Sequence, residues 1–381
     1  MEKVPIDDLI ALIKKEYDEK RLQCAIERQI ATQNNREPDY LPIFLHGKVP
    51  EMEEFPSYDR KEQFYDPEKM LYMLLWGALA ILRGKSDGIP CVRVNFGTGF
   101  LATVFGLQQE VFPDKMPWLK AHLDKKDILE MTVEDLEPIE EKGLMSEWKR
   151  YTEYYKEKLK DIQFVKLYLP DTQGVFDLAH LVSGDIIFTE FYDDINFVQH
   201  LLNLSLHAYV SATTYMKECI GEPMKSGFHG EIYMACCGVR SCEDTTTLLS
   251  PEIYKSVYPY FNRSLEQFNG FVHFCGSGAH LLQYFLNCDY VKIINFGNPE
   301  RFDWNETIKL FVKYGKTYYG TVKRFDGEAL PDYFERVLEP LERKSNLMFV
   351  PQLLPGEEPE QAIEIWYNVQ NKKFYKQKGA Q

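Results

Sequence analysis

The sequence predicts an α/β fold of the (β/α)8 barrel type, and three observations lead there. Eight short runs have β character, at 40–46, 91–96, 164–169, 231–237, 271–275, 291–296, 317–322 and 347–350. Longer stretches at helical spacing separate the later ones, at 197–218, 251–268, 279–287, 304–314, 332–344 and 359–370. Turn residues bound the runs, as in Asn269-Gly270 before the fifth and Gly276-Ser277-Gly278 after it. Alternation of strand and helix implies parallel strands, because a parallel pair needs a crossover and a helix is the usual one. Eight such units imply a closed barrel, with a doubly wound open sheet as the alternative.

Taken in order, residues 1–40 read as a helical extension. Pro5 to Asn34 forms one amphipathic helix, which Asn34-Asn35-Arg36-Glu37-Pro38 stops. Residues 41–371 hold the barrel. Within it the segment from Lys120 to Lys160 is charge-dense, and 130–141 is acidic, so it reads as a solvated helical insertion. The last residues, 372–381, form a polar tail expected to fray.

Bulk composition excludes some functions. The 381 residues are 45% hydrophobic and 27% charged, enough for a large core. A formal charge of −14 argues against nonspecific binding to nucleic acid or to an anionic membrane, both of which need a basic surface. The longest apolar run, Met70 to Leu82, is shorter than the ~18–20 residues a membrane span requires, and the start lacks an apolar signal region. Eight cysteines without framework spacing read as reduced thiols, so a cytoplasmic location is expected. Oligomeric state is not legible.

The most informative stretch is Phe271-Val272-His273-Phe274-Cys275-Gly276. Side chains at i and i+2 of a strand share one face, with Cα atoms about 6.5–7 Å apart. An imidazole and a thiol therefore converge at the end of the fifth strand. Both are soft-metal ligands.

From about residue 164 onward the order of motifs resembles the uroporphyrinogen decarboxylase superfamily. The matching pieces are Pro170-Asp171-Thr172-Gln173-Gly174-Val175-Phe176-Asp177, Phe191-Tyr192-Asp193-Asp194, Leu249-Ser250-Pro251-Glu252-Ile253-Tyr254 with Tyr258-Pro259-Tyr260, and His273-Phe274-Cys275-Gly276. The resemblance implies a (β/α)8 barrel. Its His-x-Cys strand is similar to that of zinc-dependent methyltransferases that move a methyl group from a corrinoid protein to a thiol. That likeness implies zinc, a methyl-corrinoid carried by a partner protein, and a small thiol substrate. Zinc holds a bound thiol as the thiolate, which is the nucleophile.

Two departures accompany the resemblance. In those methyltransferases a later cysteine completes the site, whereas this chain has none after Cys288 and reads Phe349-Val350-Pro351-Gln352 there. The third donor is then expected from a neighbouring strand end, among Cys236, Cys237, Cys242, Glu243 and Asp244 on the preceding unit or Glu300 on the following one, with Cys237 or Cys242 preferred. The porphyrinogen decarboxylases' N-terminal arginine signature is also missing, and Pro351-Gln352 replaces their late Gly-His turn. The haem-pathway reaction is therefore not expected.

Other polar residues at strand ends complete the candidates. Glu243 and Asp244 would serve in catalysis or cap the following helix. Asn295 and Glu300 flank a polar turn, and Arg240, Tyr233 and Gln352 would line a substrate site. Asn95-Phe96-Gly97-Thr98-Gly99 only faintly resembles a phosphate loop. Three readings follow: a corrinoid-linked zinc methyltransferase; a cofactor-free decarboxylase or lyase, in which Glu243, Asp244 or Asp177 protonates a carbanion and Arg240 neutralises carboxylates; and a non-catalytic binding protein. Bound zinc separates the first from the others.

Overall fold

The computed structural model describes residues 4–374. Most of the tail expected at 372–381 lies outside the described residues. Its first three extend a helix, Pro359–Phe374, and Phe374 is buried.

The single N-terminal helix expected over 5–34 is in fact two, Ile6–Lys15 and Glu19–Gln33. Asp18 between them is extended, and its carboxylate accepts a hydrogen bond from the Arg21 amide at 3.0 Å. That N-cap starts a second helix. Ile6, Leu9 and Ile13 are buried on one face of the first helix, which packs against helix Pro67–Arg83. The latter contains the apolar run 70–82 and starts with Asp66 capping the amides of Glu68 and Lys69. Among the described residues no helix is long and apolar enough to cross a membrane.

The charged segment forms helices Lys125–Glu130 and Met145–Lys158, joined through short 3-10 turns. It is more than a solvated face. Trp148, Tyr151 and Tyr155, spaced i, i+3 and i+7, are fully buried, so the charges cover one side of a helix whose aromatic stripe joins the core.

Apart from a small antiparallel pair, Gln109–Glu110 with Trp118–Leu119, the strands are β1 (Cys91–Val92), β2 (Lys166–Leu167), β3 (Thr172–Gln173), β4 (Gly227–His229), β5 (Ile232–Met234), β6 (Val239–Cys242), β7 (Gly270–Phe274), β8 (Val291–Phe296), β9 (Thr317–Gly320) and β10 (Leu347–Phe349). A six-stranded, wholly parallel sheet runs β3, β6, β7, β8, β9, β10. β1 and β2 form a separate parallel pair, and Ile43 makes a parallel bridge to Phe349 at the β10 edge. The fold is mixed α/β, and the ladder among the described residues is not closed.

One expected strand was misplaced. The run 231–237 does not enter the parallel sheet: its Ile232–Met234 part turns back on Gly227–His229 as an antiparallel hairpin. The sheet takes Val239–Cys242 instead. The run 231–237 is the more apolar of the two, and apolar character alone does not say which partner a strand takes.

Alternation along the parallel strands divides the apolar residues into two cores. Val272, Phe274, Ile294, Phe296 and Phe349 face outward into the large core shared with the helices. Phe271, Ile293 and Met348 face inward, where they pack with Phe44, with Ile232 and Met234 of the hairpin, and with Cys237. Helices cover the outer face and the hairpin covers the lower inner face, so the strands are buried on both sides. Further along the same inner face the side chains become polar.

Candidate metal centre

On β7 the inward residue after Phe271 is His273, and Cys275 follows just past the strand end. Cys242 of β6 and Asn295 of β8 are its registered neighbours. Asp244 stands two residues past Cys242, on the same side. The ligand atoms of Asp244, His273 and Cys275 all lie within 4.8 Å of one another. Cys275 Sγ is 3.4 Å from His273 Nε2, and Asp244 Oδ1 is 3.9 Å from the same nitrogen. Ligands on a tetrahedral zinc with bonds of about 2.0–2.3 Å stand roughly 3.3–3.8 Å apart. The three donors are thus close to a metal's spacing.

The orientation of His273 is set from behind. Asn295 Nδ2 donates to the Tyr319 carbonyl at 2.6 Å, which turns its Oδ1 towards His273 Nδ1 at 2.5 Å. An amide oxygen only accepts, so Nδ1 carries the proton and the Nε2 lone pair faces Cys275 and Asp244. Such a second partner typically fixes the tautomer of a ligating histidine. Burial, and then the charge of Arg240, lowers the His273 pKa, which keeps the ring neutral. Burial, and then Asp244, raises that of Cys275. Cys275 is thereby held as the thiol. Gly297 leaves the room it needs, since a Cβ there would stand 2.4 Å from the sulfur. The Cys275 amide donates to Asp244 Oδ1 at 2.6 Å, tying the two loops together.

Deeper on the inner face lies a cluster that sequence reasoning identified only in part. Arg240 Nη1 donates to Asp171 Oδ1 at 3.0 Å and to Cys242 Sγ at 2.7 Å. Arg93 Nη1 is 2.5 Å from the same Asp171 oxygen, and His229 Nε2 is 3.4 Å from it. Burial pushes the Asp171 carboxyl up, but the two guanidiniums prevail and hold it far below the ordinary range. Burial, and then Arg240, keeps His229 neutral. Arg93, Asp171 and His229 were missed as site residues. Asp171 lay inside a quoted motif, and Arg93 lay at an inward position of the second β-like run. His229 gave no signal, because the hairpin that carries it was not foreseen.

Of the candidate third donors Asp244 stands with the pair, and the preferred ones do not. Cys237 is sealed in the inner apolar core. Cys242 sits beside His273 but below the group, where it accepts from Arg240, and burial raises its thiol pKa. Glu300 is exposed on an outer turn, bonded by Asn298 Nδ2 at 2.9 Å. Of the residues proposed to line a substrate site, Arg240 does face inward, Tyr233 packs on Phe228 in the hairpin with ring centroids 5.1 Å apart, and Gln352 is exposed and accepts from the Arg324 amide at 2.8 Å. Asn295 supports the site through the imidazole.

Glu243 faces the opposite way from Asp244. It is buried on the outer side with Asp177, where its oxygens accept from Ser241 Oγ at 2.7 Å and meet Thr246 Oγ1 at 3.0 Å. Asp177 Oδ2 is 2.9 Å from the same hydroxyl. One hydroxyl proton cannot serve both contacts, so one carboxyl holds a proton. Burial raises the pKa of both, with Asp244 adding to it at Asp177 and Asp177 at Glu243. Neither can reach a substrate on the inner face, which removes Asp177 and Glu243 as proton donors there.

No known family's sequence profile matches the chain, and no curated protein matches it. Among solved structures the chain is similar to a methyltransferase from Methanosarcina mazei, with a TM-score of 0.62 at 13% identity over 91% of this chain and 98% of that one. The likeness is one of fold. A Haloferax volcanii malate synthase lead(II) complex aligns over 58% of this chain and 59% of its own at 8% identity, with a TM-score of 0.27, too low to carry an argument. Membership of the uroporphyrinogen decarboxylase superfamily is not established by these matches.

Proposed function

We propose that this protein is a metal-dependent methyltransferase in which Asp244, His273 and Cys275 hold zinc and a small thiol is the methyl acceptor. The observation that carries this reading is the three-donor group on one inner face, with the His273 lone pair aimed into it by Asn295. Three protein ligands and an open position are the usual arrangement of catalytic zinc. The full-length likeness of fold to a methyltransferase supports it. The same reading takes the eight segments as a (β/α)8 barrel, with Asp87 joining the Ile43 segment to β1: its amide donates to the Ile43 carbonyl at 2.9 Å, and its carboxylate accepts from the Ile43 amide at 2.9 Å. That places the three donors at the C-terminal ends of strands, where such barrels carry their sites.

When bound, zinc would lower the pKa of a coordinated acceptor thiol and hold it as the thiolate. His273 offers a neutral nitrogen because Asn295 keeps its proton on Nδ1. Cys275 gives up its thiol proton on ligation, and Asp244 supplies the third donor. The methyl group would come from a methyl-corrinoid on a partner protein approaching the strand ends. Such a cofactor would supply the methyl as a cationic equivalent to the thiolate sulfur and retain the electron pair of the broken bond.

A second reading, a lyase acting on a carboxylated substrate, is favoured by the two guanidiniums that share the single carboxylate of Asp171. Of its candidate acids only Asp244 faces the inner side. Metal content separates the readings. Protein purified without an affinity tag is expected to carry one zinc per chain and to lose it on Cys275→Ser. Full zinc retention in a His273→Ala, Cys275→Ser double variant overturns the methyltransferase reading, and an unmodified protein that takes up no zinc leaves the lyase reading.

A further inference from the structure

We infer that Asp177 is the positioning residue of the metal centre: from the outer side of the sheet it fixes the turn that presents Asp244 to His273 and Cys275. This rests on the three-donor reading above, and its test tells the two apart.

Asp244 needs such a support. The ladder still holds its predecessor, since the Glu243 amide donates to the His273 carbonyl at 2.8 Å. At Asp244 the backbone leaves the sheet with helical dihedrals, φ −69° and ψ −50°, and enters the 3-10 turn Thr245–Leu248. Its backbone has no ladder partner there, and its carboxylate is held only at the tip by the Cys275 amide, whereas His273 stands within a paired strand and Cys275 follows directly after it.

Asp177 supplies the missing constraint. It stands near the start of helix Val175–Ser183, which follows β3, and is 2% exposed. Its Oδ1 accepts from the Thr245 amide at 2.7 Å, and its Oδ2 from the Thr246 amide at 3.3 Å and the Thr246 hydroxyl at 2.9 Å. A buried carboxyl is costly unless its oxygens are bonded, and all of these bonds go to the two residues after Asp244. From the other side Thr247 Oγ1 donates to the Asp244 carbonyl at 2.7 Å. Glu243 fills the space beside Asp177, and Gly174 makes room for it, since a Cβ there would stand 2.1 Å from Glu243 Oε1. The hydrogen bonds of Asp177 go to Thr245 and Thr246, so its hold on the position of Asp244 would pass through the turn.

The test uses the full chain loaded with zinc or with cobalt(II). Zinc affinity is measured by competition with a chromophoric chelator, and cobalt d–d absorption reports the coordination geometry. Asp177→Ala is expected to weaken zinc binding ~10–100-fold, the range for outer partners of metal ligands, and to change the cobalt spectrum. Asp177→Asn keeps an oxygen for the Thr245 amide and is expected to recover most of the affinity. Thr246→Val deletes one hydroxyl and guards against failure of the Asp177 variants to fold; a loss of a few-fold is expected. If Asp177→Ala and Thr246→Val, or Thr246→Val alone should the other not fold, bind zinc like the unmodified protein with an unchanged cobalt spectrum while His273→Ala does not, the positioning role is overturned and the metal centre stands. If His273→Ala also keeps its zinc, the metal centre itself falls, and this inference with it.

Discussion

Glu243 and Asp244 are adjacent carboxylic acids on opposite faces of one sheet, and their surroundings give them different chemistry. On the outer face Glu243 meets Asp177, Ser241 and Thr246, with its hydrogen bonds made and its charged form disfavoured. On the inner face Asp244 lies beside a neutral imidazole and a thiol. A carboxyl with its bonds made among neutral groups is structure; a carboxylate facing an imidazole lone pair and a thiol that can ionise on ligation is a place for a metal ion. The two faces of β6 differ in the same way along its length, Ser241 pointing out and Arg240 and Cys242 in.

The sharpest way to break this comparison is to alter each acid in turn. Asp244→Ala is expected to weaken zinc binding by about 100-fold, more than most changes behind a ligand produce. Glu243→Gln keeps the size and the hydrogen bonds and is expected to leave zinc affinity within about twofold, because amide and protonated carboxyl are similar in shape and bonding. Equal losses in the two variants, measured by chelator competition, would end the distinction between the faces. A smaller effect is expected one layer behind the inner face: Asn295→Ala releases the His273 proton position and should cost about tenfold in zinc affinity, the lower end for such partners. No change there would mean that the tautomer is set by something other than Asn295.

The smallest effect concerns the outer face and pH. Asp177 and Glu243 have raised pKa values in the folded state, so the folded protein binds more protons than the unfolded chain at intermediate pH. Their contribution to stability is fully present below the ordinary carboxylate range near pH ~4 and is lost as pH rises through the folded values. An Asp177→Asn, Glu243→Gln double variant is expected to flatten that slope, changing the difference in unfolding free energy between acid and neutral pH by roughly 1–2 kcal/mol. Urea melts across the pH range measure it, and an unchanged slope would show that the pair titrates normally.

Much of the site was legible before the fold was known, though unevenly. His273 and Cys275 could be paired because strand geometry puts i and i+2 on one face whatever the strand's neighbours are. Asp244 stood among the candidates for the third donor, but Cys237 and Cys242 were preferred because the fourth strand was placed at 231–237. With the strand at Val239–Cys242, Arg240, Cys242 and Asp244 lie on one side, and the aspartate takes the place. One strand assignment therefore decided the preference. Arg93 and His229 depended even more on tertiary neighbours, since an arginine in a strand and a histidine in a hairpin carry no mark of the carboxylate they share.

The sequence by itself determined what is local: parallel strands alternating with helices, the apolar stripe of the first helix, and a histidine and a cysteine delivered together at a strand end. These follow from backbone periodicity, which acts over a few residues. Only the tertiary structure decided that Trp148, Tyr151 and Tyr155 sink a charged segment into the core, and that Asp244 joins the donors while Glu243 is locked behind them. Each of those outcomes turns on which distant surface a residue meets, and packing partners far apart in the chain are not written in its local pattern.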